Sequence, residues 1–267
     1  MFAGDLKQFF RGALTRRRLH LTSFDPAKHS VEQVRSIASL ALEADTDGFL
    51  VGGSTGVTHA MVEEVCAEIR NVVDRRYPGP SRPPIVLFPS NADTGVAAAA
   101  DGVLFHSLLN SRDVRFLIRE QAKAAPYLPA LGLQPVGCGM IAVEPGGTAA
   151  RIGLADLIAC DDWQSAVGYA AAAAAFGFTL VYLNAGSGSA QPVPAEMIAA
   201  VSRVVDAPLV VGGGVVDGAK AAAAVGAGAD IIITGTAIEE NPRVGETLAA
   251  ICAAVHAVPS KQAGATE

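Results

Sequence analysis

Short apolar runs rich in Val, Ile, Leu and Phe alternate along this chain with Ala-rich amphipathic stretches. Continuous apolar runs are typical of buried parallel strands, whereas apolar positions repeated every three or four residues indicate helices packed on a sheet. Eight such runs with intervening segments predict a single closed (β/α)8 barrel, a TIM barrel. The predicted strands are His20–Phe24, Gly48–Val51, Ile85–Phe88, Gly102–Phe105, Val136–Val143, Thr179–Asn184, Pro208–Val211 and Asp230–Thr234.

The third connection departs from this pattern. Only about 13 residues separate Phe88 from Gly102, whereas a whole strand–helix unit of a parallel sheet takes about 30 residues. We therefore expect a reduced third helix and, between the barrel and its outer layer, an apolar groove. A compact barrel without a groove is the alternative.

The chain has 267 residues, a length that suits one barrel, and no linker divides it. We predict an N-terminal leading segment at 1–19, a barrel domain at 20–258 and a disordered polar tail at 259–267. Because charged residues interrupt the apolar residues near the N-terminus, we expect no signal segment there, and no apolar run is long enough to require a membrane span. These features predict a soluble cytoplasmic protein.

Charge and cysteine content narrow the function classes. The net charge of −6 argues against nucleic acid as a partner, because a nucleic-acid surface needs a basic patch. The one basic cluster, Arg16–Arg18, is either a solvated turn or a point of attraction for an anionic membrane or a polyanionic substrate. The four cysteines lie in no metal-binding or redox spacing.

Three glycine-rich turns follow strands of the C-terminal third, at Tyr182–Gly188, Gly212–Gly214 and Thr234–Thr236. Glycine allows close approach of a ligand and positive φ angles, so such turns expose backbone N–H groups. Turns after the seventh and eighth strands of a barrel are typical phosphate sites. The sequence therefore predicts a small phosphorylated ligand, with tight turns that serve only packing as the alternative.

A second group of polar residues predicts a metal site. Asp25 follows the first strand and Ser54 follows the second, and Mg²⁺ prefers hard oxygen ligands that it shares with phosphate oxygens. Asp25 precedes Pro26, so it is alternatively a turn residue or a helix cap. Together with the phosphate turns, this pair predicts that the end of the barrel where the strands finish, its mouth, holds one phosphate and one metal-bound diphosphate.

Further polar residues follow the third, fourth and fifth strands, and each either binds a ligand or caps the next helix. They are Ser90, Asn91, His106, Ser107, Asn110 and Glu144. His106 is either a general base or a hydrogen-bonded histidine at a strand end.

These segments resemble, in the same order along the chain, those of the geranylgeranylglyceryl phosphate synthases and their bacterial heptaprenylglyceryl phosphate relatives. The resemblance covers roughly residues 20 to 255 and implies a TIM barrel with a reduced third helix whose gap holds a prenyl chain. The matching segments are Asp25–Lys28, Val51–Ser54, Phe88–Asn91, Phe105–Ser111, Val143–Gly147, Tyr182–Gly188, Pro192–Pro194, Val211–Gly214 and Thr234–Glu239.

The resemblance implies Mg²⁺-dependent transfer of a prenyl group from a prenyl diphosphate to a phosphorylated three-carbon acceptor. It implies catalytic roles for Asp25, Tyr182 and Asn184, with Asp25 and Ser54 as metal ligands. It also implies a homodimer and a peripheral membrane contact through the lipid product. The implied acceptor and phosphate residues are Tyr182, Asn184, Gly186, Ser187, Gly188, Gly213, Gly214, Gly235 and Thr236, and the implied diphosphate and prenyl residues are Lys28, Ser54, Ser90, Asn91, Ser107, Asn110 and Glu144.

Two residues depart from the family pattern in the acceptor pocket. Asn184 stands where the family usually has Glu, and Met140 stands where it usually has Tyr. A carboxylate repels another carboxylate 4 Å away by about 4 kcal/mol at an effective dielectric constant near 20, so a neutral amide suits an acceptor with its own carboxylate. We therefore expect farnesyl transfer to the 2-hydroxyl of 3-phosphoglycerate, as in a moenomycin-pathway member of the family. Transfer to sn-glycerol 1-phosphate is the alternative.

Two other classes of protein are alternatives to a prenyltransferase. An isomerase or lyase of phosphorylated substrates would use the same turns, but it needs an acid and a base at opposing strand ends. The fifth and sixth strands offer Met140 and Asn184 instead. A non-catalytic phosphate-binding barrel would bind ligands without turnover.

Overall fold

The computed structural model describes residues 5–79, 81–239 and 241–259. Within them, eight parallel strands pair in chain order and close into a barrel, as predicted. The strands are β1 (Leu19–Phe24), β2 (Gly48–Val51), β3 (Ile85–Leu87), β4 (Gly102–Leu108), β5 (Gln134–Ala142), β6 (Leu180–Asn184), β7 (Leu209–Gly212) and β8 (Ile231–Thr234).

Helices surround the barrel, and several begin after a residue whose side chain accepts a free backbone N–H group. The hydroxyl of Ser30 accepts the N–H of Gln33 at 3.3 Å, and the Gln33 side chain accepts the N–H of Ser30 at 2.8 Å, which is a capping box. The helices are α1 (Leu6–Leu14), α2 (Val31–Glu43), α3 (His59–Arg76), α4 (Glu120–Ala124), α5 (Gly147–Ile152), α6 (Trp163–Ala175), α7 (Ala195–Ser202), α8 (Gly218–Gly226) and α9 (Val244–His256).

The fourth strand is longer than the sequence indicates. It runs to Leu108 because Gly102–Leu108 pairs residue by residue with Gln134–Met140 of β5. Ser107 is therefore a strand residue and not part of a rim loop.

The third connection contains turns and no helix between Leu87 and Gly102. The outer layer is also irregular after β4, where a π-helical turn at Arg115–Arg119 leads into the short α4 and a 3-10 turn at Ala125–Tyr127. The third helix, predicted to be short, is thus absent between Leu87 and Gly102. Next to β3 and β4, only turns and short irregular helices therefore cover the outside of the barrel.

The opposite end of the barrel is closed by α1. Its apolar face buries Leu6 and Phe10 against the barrel interior, and the N–H of Leu6 donates to Oε1 of Gln134 at 2.8 Å. Residues 260–267 of the predicted tail lie outside the described residues. No described helix has both the length and the apolar character that a membrane crossing demands.

Candidate active site

The carboxyl ends of the strands surround one cavity at the mouth of the barrel. Asp25 and Ser54 line it on one side, and Gly213, Gly214 and Thr236 line it from β7 and β8. The structure thus brings together the predicted metal residues and the predicted phosphate turns. They face one another across a space that is open to solvent.

The Asp25 carboxylate is held by its own turn and by the turn after β2. Its Oδ1 accepts the N–H of Ala27 at 3.0 Å. A Cβ atom on Gly53 would overlap the same oxygen, so glycine is required for the two turns to approach. The direction of Asp25 into the mouth therefore depends on Gly53.

The residues around Asp25 fit a magnesium ion that takes most of its ligands from substrate and water. No described group of three or more His, Cys, Asp or Glu side chains is placed to hold a metal by itself. Mg²⁺ is, however, commonly bound by one or two carboxylates, with substrate phosphates and water completing its octahedron. One carboxylate and the Ser54 hydroxyl suit an ion that is completed by a diphosphate.

Lys28, predicted on the diphosphate side, is paired across the rim with a carboxylate. Its Nζ lies 2.9 Å from both Oε1 and Oε2 of Glu239, and Glu239 lines the mouth. Lys28 is thus close to the cavity without lining it.

The acceptor side is built from backbone turns. Gly213 and Gly214 have φ angles of 86° and 71°, and a Cβ on Gly213 would lie 2.6 Å from the backbone N and O of Gly186. Only glycine suits such positions. The Oγ1 of Thr236 accepts the N–H of Gly188 at 2.9 Å and lies 3.5 Å from Oγ of Ser187, so Thr236 joins the turn after β6 to the turn after β8.

Two of the predicted phosphate glycines have their N–H groups occupied. The N–H of Gly186 donates to Oδ1 of Asn184 at 2.8 Å, and that of Gly188 donates to Thr236. Neither glycine lines the cavity, so both support the turn after β6, and their contact with an acceptor stays a prediction. Ser187, Gly235 and Thr236 do line it.

Tyr182 and Asn184 form the inner wall on β6. The Tyr182 side chain is buried, which raises the pKa of its hydroxyl, and a Cβ on Gly212 would overlap that hydroxyl. Since Oδ1 of Asn184 is held by Gly186, its Nδ2 is left on the other side, 3.7 Å from Sδ of Met140. Asn184 therefore presents a neutral N–H donor, not a base, beside a thioether.

A second, mostly apolar cavity lies under the thin part of the outer layer. Ser90, His106 and Phe116 line both this cavity and the mouth, while Val96 and Leu128 line the second cavity alone. The predicted groove therefore exists and lies directly beside the mouth, with these shared side chains between the two. Asn91 lies at its wall, where Oδ1 accepts the N–H groups of Asp93 and Thr94 at 2.8 and 3.2 Å.

His106 stands at the junction of the two cavities. Its Nδ1 lies 3.1 Å from the carbonyl oxygen of Leu104 and donates to it, and its ring meets that of Phe88 edge to face with centroids 4.8 Å apart. Burial lowers the pKa of His106, against the opposing effect of the Leu104 hydrogen bond. The ring is therefore neutral near pH 7.

Three predicted binding residues lie away from both cavities. Asn110 is buried, and its amide binds the carbonyls of Ala142 and Asp156 at 2.9 and 2.7 Å, so it supports the loop after β5. His106 and Leu108 face inward and line the mouth. Because side chains alternate along a strand, Ser107 between them faces outward, where it is buried. Glu144 is exposed outside the mouth. The structure therefore places these three residues outside the two cavities, and direct ligand contact by them stays a prediction.

Several residues that line the mouth were given no role from the sequence, and Phe116 and Glu239 are two of them. Phe116 lies on the irregular turn after β4, where no periodicity could place it. Glu239 stands in a segment that carries the family resemblance, and this was the only signal available for it.

Comparison with known proteins agrees with this geometry. The chain is 40% identical over 239 residues to the geranylgeranylglyceryl phosphate synthase of Methanothermobacter marburgensis, covering 90% of this chain and 94% of the relative. It is 41% identical over 238 residues to that of Methanothrix thermoacetophila, covering 89% and 90%. The chain is thus an enzyme of the prenyltransferase class. A model of the PcrB family matches residues 13–255, and the chain belongs to that family.

Solved structures support the same placement. The (S)-3-O-geranylgeranylglyceryl phosphate synthase of Thermoplasma acidophilum, solved in complex with its substrate sn-glycerol-1-phosphate, is 33% identical with a TM-score of 0.89, covering 96% of this chain and 100% of that one. The thiamine phosphate pyrophosphorylase of Pyrococcus furiosus is 16% identical over 91% of this chain and 97% of its own, with a TM-score of 0.56, and shares the fold alone.

Proposed function

We propose that this protein transfers a prenyl group from a prenyl diphosphate to a hydroxyl of sn-glycerol 1-phosphate, forming an ether and releasing diphosphate. The observation that carries the proposal is that the apolar groove adjoins the polar mouth and shares Ser90, His106 and Phe116 with it. A groove of this kind suits a hydrocarbon chain, and the mouth suits two phosphorylated groups. The names of the relatives and the acceptor in the Thermoplasma acidophilum structure support glycerol 1-phosphate.

The donor would lie with its chain in the groove and its diphosphate near Asp25 and Ser54. Mg²⁺ bound there would supply positive charge that stabilises the leaving diphosphate. The bond between C1 of the prenyl group and the diphosphate oxygen breaks, and its electron pair leaves with the diphosphate. C1 then bonds to the acceptor oxygen.

The acceptor would be held by its phosphate at the turns of Gly213, Gly214 and Gly235, where backbone N–H groups bind anions. Such binding fixes the hydroxyl at the distance needed for attack, and positioning of this kind contributes a large part of enzymatic rate enhancement. The N–H of Asn184 beside Tyr182 would donate to an acceptor oxygen. Since an amide is not a base, the hydroxyl proton passes to water or to the departing diphosphate.

A second candidate acceptor is 3-phosphoglycerate, taken at its 2-hydroxyl with a farnesyl-type donor. The observation that favours it is Asn184 itself, which places a neutral donor in the wall of the acceptor pocket. From the sequence alone, 3-phosphoglycerate is the expected acceptor. The comparisons support glycerol 1-phosphate more strongly, so 3-phosphoglycerate is the second candidate.

The experiment is a product assay with the purified protein, Mg²⁺, farnesyl or geranylgeranyl diphosphate, and each acceptor in turn. We expect an ether product with glycerol 1-phosphate. Better use of 3-phosphoglycerate would reverse the order of the two candidates. Tight phosphate-ligand binding without turnover of any donor would contradict both and favour a non-catalytic barrel. A homodimer, a cytoplasmic location and a membrane contact through the product remain predictions.

A further inference from the structure

An aromatic surface lies where the apolar groove meets the polar mouth. The ring of Phe88 is only partly buried and lines the mouth. It meets the ring of His106 edge to face at 4.8 Å between centroids, and it lies 6.1 Å from the ring of Tyr182 with an interplanar angle of 48°. These three rings form one continuous group, with Phe88 directly after β3, His106 on β4 and Tyr182 on β6.

The position of Phe88 is fixed relative to the diphosphate side. A Cβ on Gly52 would overlap the carbonyl oxygen of Phe88, so the ends of β2 and β3 are in close backbone contact. The turn that carries Ser54 begins at this contact. Phe88 therefore lies between the place of the diphosphate and the opening of the groove at Ser90.

The reacting carbon of the donor must occupy this same interval. C1 joins the chain, which the groove would hold, to the diphosphate, which Asp25 and Ser54 would hold. As the C1–O bond breaks, positive charge develops on the allylic carbons. An aromatic face attracts a cation within about 6 Å of its centroid, and the attraction is stronger where water is excluded.

We infer that Phe88 is a catalytic residue whose ring face stabilises the allylic cation, with His106 as a positioning residue that holds the ring by its edge contact. This inference rests on the proposed function and extends it to the charge of the transition state. His106 suits the role because a neutral imidazole adds no positive charge beside the cation. Tyr182 completes the surface as a buried, uncharged ring.

The test is a fluorine series at Phe88, made by replacing it with mono-, di- and trifluorophenylalanine in the full-length protein. Each fluorine withdraws electron density from the ring face but changes its shape little. We expect kcat to fall stepwise, by ~3- to 30-fold over the series, with the KM values of both substrates unchanged. Phe88→Tyr, which keeps an electron-rich ring, should retain kcat, whereas Phe88→Leu should lose it.

Phe9 provides a matched control, because it is a partly buried phenylalanine in edge contact with Phe10 at 5.5 Å, far from the mouth. The same series at Phe9 should leave kcat unchanged. A flat kcat across the Phe88 series in a protein that does transfer prenyl groups would overturn this inference alone. Unmodified protein without any prenyl transfer would instead overturn the proposed function. A Phe88→Leu variant that changes only KM would show that the ring is a packing surface.

Discussion

The ammonium of Lys28 and the carboxylate of Glu239 form a two-point ion pair across the rim of the mouth, with both N–O distances at 2.9 Å. The pair joins the turn after β1, which carries Asp25, to the turn after β8, which carries Thr236. It therefore connects the proposed donor side of the cavity with the proposed acceptor side.

Lys28→Met should weaken donor use more than acceptor use. Loss of the ammonium removes a positive charge from the turn that carries Asp25, on the donor side, and leaves Glu239 unpaired across the rim; both side chains are partly exposed. We expect an increase in KM for prenyl diphosphate of about 5-fold, equivalent to about 1 kcal/mol, and little change in thermal stability. Steady-state kinetics and a melting curve measure both. Arg112→Met, which breaks the exposed pair with Asp156, is the control and should change neither.

Gly53→Ala should remove most activity without unfolding the protein. The added methyl would overlap Oδ1 of Asp25 and turn its carboxylate away from the mouth. We expect kcat/KM to fall by at least about 100-fold, a loss of roughly 3 kcal/mol that is typical for displacing a charged group of a catalytic site. Gly12→Ala is the matched control, because nothing lies near its added methyl in α1 and it should stabilise the helix by about 0.5–1 kcal/mol. An active Gly53→Ala enzyme would show that the orientation of Asp25 does not depend on Gly53.

The barrel was predictable because strands such as β2, β7 and β8 are buried along their whole length and therefore show short apolar runs in the sequence. The turn at Gly213 was predictable because its positive φ and its close contact with the backbone of Gly186 demand glycine. The role of Asn110 was not, since an asparagine after a strand binds a ligand or a backbone carbonyl equally well, and only the loop after β5 decides between them. Phe116 was missed because the helix that carries it is irregular.

Asn184→Glu should shift the acceptor preference toward glycerol 1-phosphate. A carboxylate at this position repels the carboxylate of 3-phosphoglycerate by about 4 kcal/mol at 4 Å and an effective dielectric constant near 20. We expect kcat/KM for 3-phosphoglycerate to fall by a larger factor than that for glycerol 1-phosphate, measured in parallel assays. Asn184→Asp tests charge at a smaller size and should shift the ratio in the same direction. An unchanged ratio would mean that the acceptor carboxylate does not approach β6.

Ala124→Trp should shorten the longest donor that the enzyme accepts. Ala124 lines the apolar groove, so an indole there would fill part of it. We expect geranylgeranyl diphosphate to lose kcat/KM by ~10-fold or more, while geranyl diphosphate is affected less, because each buried methylene contributes about 0.8 kcal/mol. Ala122→Trp is the control, since Ala122 is exposed on the same short helix. Equal effects on both donors would argue that the chain runs elsewhere.

The buried His20 should make the protein lose stability as the pH falls from about 6.5 to about 4. Its ring is fully buried between the hydroxyls of Thr46 and Thr234, at 3.0 and 2.8 Å. Burial lowers the pKa of His20 to about 4, with Asp47 opposing the shift and His256 adding to it.

Between these two pH values the unfolded chain takes up a proton at His20 and the folded protein does not. Acidification therefore favours unfolding, by about 1.4 kcal/mol per pH unit and by roughly 3 kcal/mol over the whole interval. Denaturant titrations at several pH values measure the slope, and His20→Gln should reduce it, whereas the exposed His59→Gln should not. If His20→Gln does not fold, NMR titration of the wild-type ring decides the matter. A His20 that titrates near 6.5 in the folded protein would contradict the expected pH dependence.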